Sequence, residues 1–182
     1  MAFPKQTDVN TPNDTTALGH HIKEWGCFGC GLIYGVADYL GFADVVTKQE
    51  LIDCFAAGIK AGFILDDNKP INHADENSYH RVEFQNQAGV IGFMELVAKH
   101  FDNAVKVTNL GAHGSSEAPL KLSQIDSIPA GCNFIQAKYK DAYKHFVVLN
   151  CKTGPISIRY NPDPTLKLDY LISLGFYKIE QA

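Results

Sequence analysis

Residues 25–41 read WGCFGCGLIYGVADYLG and place two cysteines, Cys27 and Cys30, directly before an apolar run. From Phe28 to Leu40 the large apolar residues recur at the spacing of a helix face, and Gly41 stands where a helix would end. The spacing therefore predicts a helix whose first turn carries both cysteines. A thiol in that position faces the positive end of the helix dipole, which favours the thiolate.

Composition limits the classes of function. The chain has 182 residues, of which 46% are hydrophobic and 11% aromatic, and this suits one domain with a substantial core. A net charge of -4 gives no broad basic surface, so no nucleic-acid partner is expected. No apolar run approaches the roughly 18 residues that a membrane-spanning helix needs. The polar start and five unpatterned cysteines predict a cytoplasmic protein without a secretion signal.

The order of elements predicts the fold class. Residues 1–16 carry little to bury, so we expect a flexible N-terminal arm followed by a single domain over 17–182. A second helix should begin at the Thr47/Glu50 capping box and end at Gly62, and a third should span Ala88 to Phe101. Short strands are then predicted at 104–110, 133–139, 145–151, 156–161 and 174–179. Helices followed by strands indicate the α+β class.

The two cysteines of the first helix have two chemical alternatives to nucleophilic catalysis. A zinc site would need further ligands, which His20 and His21 could supply, whereas Cys54, Cys132 and Cys151 stand alone and are expected in the core. A redox disulfide is typical of a strand that leads directly into the helix, and ALGHHIKEW is a poor strand. We therefore expect no metal and no cofactor, and we favour a nucleophile.

A nucleophilic thiol needs a base, and His145 is the strongest candidate because it opens the apolar strand HFVVLNC. If this strand and ISIRYN form a hairpin about residues 152–155, pairing 149 with 157 places His145 opposite Asn161. Asn161 would then orient the imidazole, with Asp163 as an alternative. His113 is another histidine of the right type, but its GAHGSSEAP context predicts a loop.

This arrangement resembles a known family. A glycine followed by cysteine at a helix start, a histidine that opens a hydrophobic strand, and YNPDP after the next strand are similar to the papain-like cysteine peptidase fold. Within that fold the chain most resembles the bacteriocin-processing, double-glycine peptidase-like group, over 27–41 and 145–164. The resemblance implies N-terminal helices packed on a C-terminal antiparallel sheet. It also implies a catalytic set of Cys27 as nucleophile, His145 as base and Asn161 as orienting residue.

The same resemblance leaves two assignments open. Cys30 is an alternative nucleophile, because CFGC is also similar to the cysteine-containing stretch of papain itself. The family usually has a glutamine shortly before the nucleophile, and those positions here read HHIKEW, so either His21 or Glu24 would serve as the oxyanion helper or no residue does. The implied reaction is cleavage of a peptide, isopeptide or amide bond through a thioester, and acyl transfer to an amine is compatible with the same residues.

A noncatalytic function on the same fold is a second hypothesis. In it the chain is a binding module whose long polar loop, residues 66–85, captures a peptide or protein partner. The loop also contains His73 and His80 among acidic residues, which could bind a divalent ion, although a solvated acidic loop is the simpler interpretation. Under either function the expected partner is a peptide or protein, with no membrane partner.

Overall fold

A computed structural model of the chain describes residues 2–9, 18–19, 22–23, 26–65, 84–114, 118, 134–139, 145–150, 157–164 and 171–182. Its helices are α1 (Cys27–Leu40), α2 (Lys48–Lys60) and α3 (Gln87–His100). Its strands are β1 (Val105–His113), β2 (Phe134–Tyr139), β3 (Phe146–Asn150), β4 (Ser157–Tyr160) and β5 (Leu171–Gln181). Helices thus precede strands along the chain, and the predicted α+β class is confirmed.

The predicted helices form for the local reasons that the sequence suggests. Gly41 ends α1 in the left-handed conformation at φ 85°, and its N–H donates back to the last turn. At the start of α2 the Thr47 hydroxyl accepts from the Glu50 N–H, while the Glu50 carboxylate accepts from the Thr47 N–H at 2.6 Å. The Asn86 side chain accepts from the Gly89 N–H at 3.0 Å and fixes the start of α3.

The described strands form one antiparallel sheet in the order β1-β5-β2-β3-β4. Strand β5 lies second in this order and runs from Leu171 to Gln181. It extends beyond the predicted 174–179 at both ends, because it pairs with β2 as far as Leu171 and with β1 as far as Gln181. A bulge lies between Asn109 and Gly111, and Gly111 adopts φ 93° there. The sequence around His113 predicted a loop, but Gly111 forms a bulge within β1, and the strand continues to His113.

The β3–β4 pairing corrects the predicted register. Leu149 pairs with Ile158, one residue further along than the expected 149–157 pair, and a shift at Arg159 then brings Val148 opposite Tyr160. The bulge adds one residue to β4, so the strand ends are offset from a regular ladder. The turn predicted at 152–155 lies outside the described residues. The strands are nonetheless antiparallel neighbours, with β4 at the edge of the sheet.

The expectation of a loose arm is wrong for residues 2–9. Phe3 is buried and packs edge-on against the rings of Tyr34 and Tyr160, with centroids 5.1 Å and 5.0 Å away. The Tyr160 hydroxyl donates to the Pro4 carbonyl at 2.7 Å, and Val9 is fully buried. Few apolar side chains were visible in this segment, but the aromatic slot between α1 and β4 needs only one ring to fill it. Residues 10–16 lie outside the described part of the chain.

Helix α1 is the centre of the core. Its residues from Gly29 to Ala37 are all buried, and it contacts β3 and β2 on one side and α2 and α3 on the other. Because the helix is enclosed, the position of its first turn is fixed by packing on several sides. In the described ranges, no helix is long and apolar enough to cross a membrane.

Candidate active site

Cys27 is the first residue of α1, and Gly26 sets its position. The Gly26 N–H donates to the Ile22 carbonyl at 2.8 Å, and the Cys30 N–H donates to the Gly26 carbonyl at 2.8 Å. A Cβ atom on residue 26 would lie 2.4 Å from that Ile22 oxygen and 2.9 Å from the Ile22 Cα. Only glycine allows the preceding turn to approach this closely, so the glycine before Cys27 is required by packing.

We expect Gly26→Ala to lower the free energy of unfolding by about 1–3 kcal/mol, because backbone atoms must move to admit the methyl group. The matched control is Gly31→Ala, one turn further along α1, where a Cβ would meet only Val148 Cγ2 at 3.5 Å. That change should be neutral or stabilising by about 0.5–1 kcal/mol, because alanine favours the helix interior. Urea unfolding of both variants measures the difference, and equal stabilities would contradict the packing argument.

The Cys27 thiol is nearly enclosed, with 8% exposure. Burial raises the pKa of the Cys27 thiol to about 11. The backbone N–H groups of Phe146, Phe28 and Cys27 itself act in the opposite direction, and the Asp163 carboxylate adds a smaller upward effect on this pKa. The net direction is opposite to the thiolate preference expected from the helix N-terminus alone. At neutral pH the resting group is therefore a thiol that needs a base.

His145 lies immediately before β3 and is buried, with 4% exposure. Its Nε2 is 2.7 Å from Oδ1 of Asn161, the residue immediately after β4. The Asp163 backbone N–H also faces this Oδ1, at 3.1 Å. Because a backbone N–H can only donate, the amide atom that it faces must be the oxygen, and His145 Nε2 must be the donor to it. In the neutral imidazole Nδ1 is then the proton-accepting nitrogen.

The predicted His145–Asn161 neighbourhood is thus present, although the register that suggested it is wrong. Both residues lie just outside the paired ends of adjacent strands, where side chains can turn toward each other. The extra residue in β4 at Arg159 changes the ladder but still delivers Asn161 to the end of the sheet where His145 begins β3.

Two half-buried phenylalanines connect the cysteine turn with the histidine strand. Phe28 follows Cys27, Phe146 follows His145, and their rings stack with centroids 4.8 Å apart and an interplanar angle of 30°. Phe84 packs edge-on against Phe28 at 5.2 Å. The stack and the Phe146 N–H near the thiol together place the start of β3 beside the start of α1. No sequence pattern predicts this pairing, because it depends on tertiary contacts.

The alternative site residues Cys30 and Asp163 have different surroundings in the structure. Cys30 is fully buried, and burial with the nearby Cys27 raises its pKa well above the ordinary thiol value. Cys54 is also a core residue, as expected, and burial raises its pKa to about 12. The three described cysteines are free thiols. The Asp163 backbone N–H donates to Asn161 Oδ1, and the Asp163 charge raises the pKa of Cys27. Asp163 therefore lies next to the site.

Several expected residues lie outside the described part of the chain. They include the proposed oxyanion helpers His21 and Glu24, most of the 66–85 loop, and the residues His20, His73, His80, Cys132 and Cys151. Within the described ranges, no group of three or more histidine, cysteine or acidic residues is arranged to hold a metal ion. The alternatives that need these residues stay predictions.

Gln6 was not predicted as a site residue, because it lies in the segment interpreted as an arm. Its side chain is 5% exposed, and its Nε2 donates to the carbonyl of Lys23, in the turn before Cys27. Its backbone N–H donates to the carbonyl of Pro162 at 2.9 Å, next to Asn161. A glutamine among polar residues carries no pattern that marks it as buried, so no signal in the sequence could have identified it.

Comparisons of this chain with protein-family models, with curated proteins and with solved structures found no match. The function of the chain is therefore inferred from the geometry of Cys27, His145 and Asn161.

Proposed function

We propose that this protein is a thiol acyl hydrolase with a papain-like arrangement, which cleaves a peptide, isopeptide or amide bond. The observation that carries the proposal is the 2.7 Å contact from His145 Nε2 to Asn161 Oδ1, combined with the Phe146 N–H beside the Cys27 sulfur. A cysteine, a histidine and an asparagine that come from three separate elements share one region. This is the set of residue types that nucleophilic thiol catalysis uses.

The architecture supports the papain-like part of the proposal. A buried helix carries the cysteine at its N-terminus and contacts β3, while His145 and Asn161 flank adjacent antiparallel strands. The helical part of the chain therefore supplies the nucleophile, and the sheet supplies the base and its orienting residue. This division between helix and sheet is what the family resemblance implies.

The proposed reaction begins from a neutral thiol, since burial raises the pKa of Cys27 to about 11. His145 Nδ1 takes the thiol proton as the sulfur attacks the substrate carbonyl carbon, and Nε2 remains hydrogen-bonded to Asn161. The tetrahedral oxyanion is held by the N–H of Cys27 at the start of α1. The imidazolium then returns the proton to the departing amine, which leaves a thioester on Cys27.

Deacylation uses the same groups. His145 removes a proton from water, the resulting hydroxide adds to the thioester carbonyl, and the Cys27 sulfur leaves with the proton carried by the imidazole. An amine in place of water would give acyl transfer through the same steps. Hydrolysis is the simpler hypothesis, because it needs no binding site for a second substrate.

The second candidate is a noncatalytic peptide- or protein-binding module on the same fold. It is favoured by the raised pKa of the Cys27 thiol, which burial dominates despite the three backbone N–H groups nearby. In that function the thiol would have no special reactivity, and a site elsewhere, such as the predicted 66–85 loop, would bind the partner.

Trapping the acyl intermediate distinguishes these candidates. Brief treatment with p-nitrophenyl acetate at pH 7, followed by mass mapping, should place one acetyl group on Cys27 and none on the buried Cys30 or Cys54. The Cys30→Ala variant should be acetylated at the wild-type rate. Acetylation confined to Cys30 would overturn the choice of nucleophile, and no cysteine acetylation within the time that free cysteine reacts would favour the binding module.

A further inference from the structure

The Gln6 side chain donates a hydrogen bond to a carbonyl that would accept a backbone hydrogen bond in a regular helix. The N–H of Gly26 donates to the Ile22 carbonyl and that of Cys30 to the Gly26 carbonyl, both at 2.8 Å, in the four-residue pattern of an α-helix. The next bond of this pattern would run from the Cys27 N–H to the Lys23 carbonyl. Between these two described residues no such backbone bond forms, and the Lys23 carbonyl accepts from Gln6 Nε2.

The Cys27 N–H is therefore directed elsewhere. It lies close enough to the Cys27 sulfur to oppose the upward shift that burial imposes on the thiol pKa. A donor beside the attacking sulfur also lies beside the carbon that the sulfur attacks, where the oxygen of a tetrahedral intermediate develops its charge. The hydrogen bond from Gln6 to the Lys23 carbonyl thus affects the direction of the Cys27 N–H, although Gln6 does not contact that N–H.

Gln6 is held in place from the opposite side of the site. Its backbone N–H donates to the Pro162 carbonyl at 2.9 Å, and Pro162 follows Asn161 directly. Neighbouring residues of the same segment are fixed by the Phe3 and Pro4 contacts with Tyr160. Gln6 consequently bridges the turn before Cys27 and the turn that carries Asn161.

The buried amide is unfavourable for stability alone. Gln6 Oε1 has no hydrogen-bonding partner among the described residues, although the side chain is only 5% exposed. A buried acceptor without a partner is destabilising, and an apolar side chain of the same shape would avoid it. A function for the Nε2 donor explains why an amide occupies this position.

We propose that Gln6 is a positioning residue, which captures the Lys23 carbonyl and so leaves the Cys27 N–H directed at the carbonyl oxygen of an acyl substrate. The inference rests on the proposed thiol acyl chemistry. It assigns to residues 2–9 a role in the reaction and not only in packing.

Two reagents separate this role from a structural one. Acetylation of Cys27 by p-nitrophenyl acetate passes through an oxyanion, whereas alkylation by iodoacetamide is a displacement at carbon without one. In Gln6→Met, which keeps the side-chain length, we expect acetylation to fall by about 10- to 100-fold. Alkylation should stay within about threefold of wild type, and the melting temperature should change little because an unpaired acceptor is lost together with a hydrogen bond.

Val9→Ala is the matched control, because Val9 lies in the same segment, is fully buried and contributes an apolar side chain to the core. It should lower the melting temperature while leaving the ratio of acetylation to alkylation at the wild-type value. An unchanged ratio in Gln6→Met, with the His145 dependence of wild-type acetylation intact, would overturn the Gln6 proposal alone. An equal loss of both reactions would also overturn it. Wild-type acetylation that does not depend on His145 would remove the proposed function and this inference with it.

Discussion

Replacing His145 with alanine should lower the rate of Cys27 acetylation at pH 7 by on the order of 10³-fold. The reason is the enclosure of the thiol. With a pKa of about 11, only on the order of 10⁻⁴ of Cys27 is thiolate at pH 7 unless a neighbouring group takes the proton. His145 is the base that the geometry offers, through the Nδ1 atom left as acceptor by the Nε2 contact with Asn161.

The loss of acetylation rate in His145→Ala should become smaller as the pH rises. As the pH rises toward 11, direct ionisation of the thiol replaces the contribution of the base, so the alanine variant should approach wild type. The control is His100→Ala, which removes an exposed histidine at the end of α3. This control should react at the wild-type rate. A His145→Ala variant that folds normally and loses less than threefold at pH 7 would exclude His145 as the base.

Replacing Asn161 with alanine should lower the same rate by on the order of 10²-fold, because the imidazole loses the acceptor that fixes its tautomer and orientation. Without Oδ1 the proton can reside on either ring nitrogen, and the productive Nδ1 acceptor becomes one state among several. Asn161→Asp keeps an acceptor oxygen at this position. We expect it to retain activity within about tenfold of wild type.

Stability and reactivity can be separated for Asn161. Its Oδ1 also accepts the Asp163 N–H, so the alanine variant should lose about 1 kcal/mol of unfolding free energy as well. The control on the same strand is Arg159→Ala, which removes an exposed ion pair with Asp38 and should alter neither property by a measurable amount. If Asn161→Ala and Asn161→Asp reacted equally slowly, the orienting role of the acceptor oxygen would be wrong.

The sequence predicted the elements well because their causes are local. The Thr47/Glu50 capping box and Gly41 act within a few residues, and α1 and α2 begin and end within a residue or two of the predicted positions. The predicted β3–β4 register was one residue off at Leu149, and the bulge at Arg159 shifts the pairing by one residue more. A bulge depends on tertiary contacts and not on the alternation of apolar residues. The same reason explains why His113 extends a strand through a glycine bulge.

The candidate site was predictable in its residue types but not in its electrostatics. Helix and strand ends identified Cys27, His145 and Asn161, because chain position alone limits where such side chains can meet. The pKa of Cys27 depends on how deeply tertiary packing encloses the thiol, and helix position alone suggested the wrong direction for it. Gln6 was missed because a buried polar side chain with one partner leaves no periodic trace in the sequence.

If His145 takes the proton of the Cys27 thiol, the rate of Cys27 alkylation should depend on pH in a way that His145 controls. The rate of Cys27 modification by iodoacetamide should be measured from pH 5 to 11 in wild type and in His145→Ala, with sites mapped by mass spectrometry. We predict two rising limbs in wild type, a lower one that depends on His145 and an upper one toward pH 11. Only the upper limb should remain in the variant. A single limb toward pH 11 that is identical in both proteins would show that His145 does not take the thiol proton.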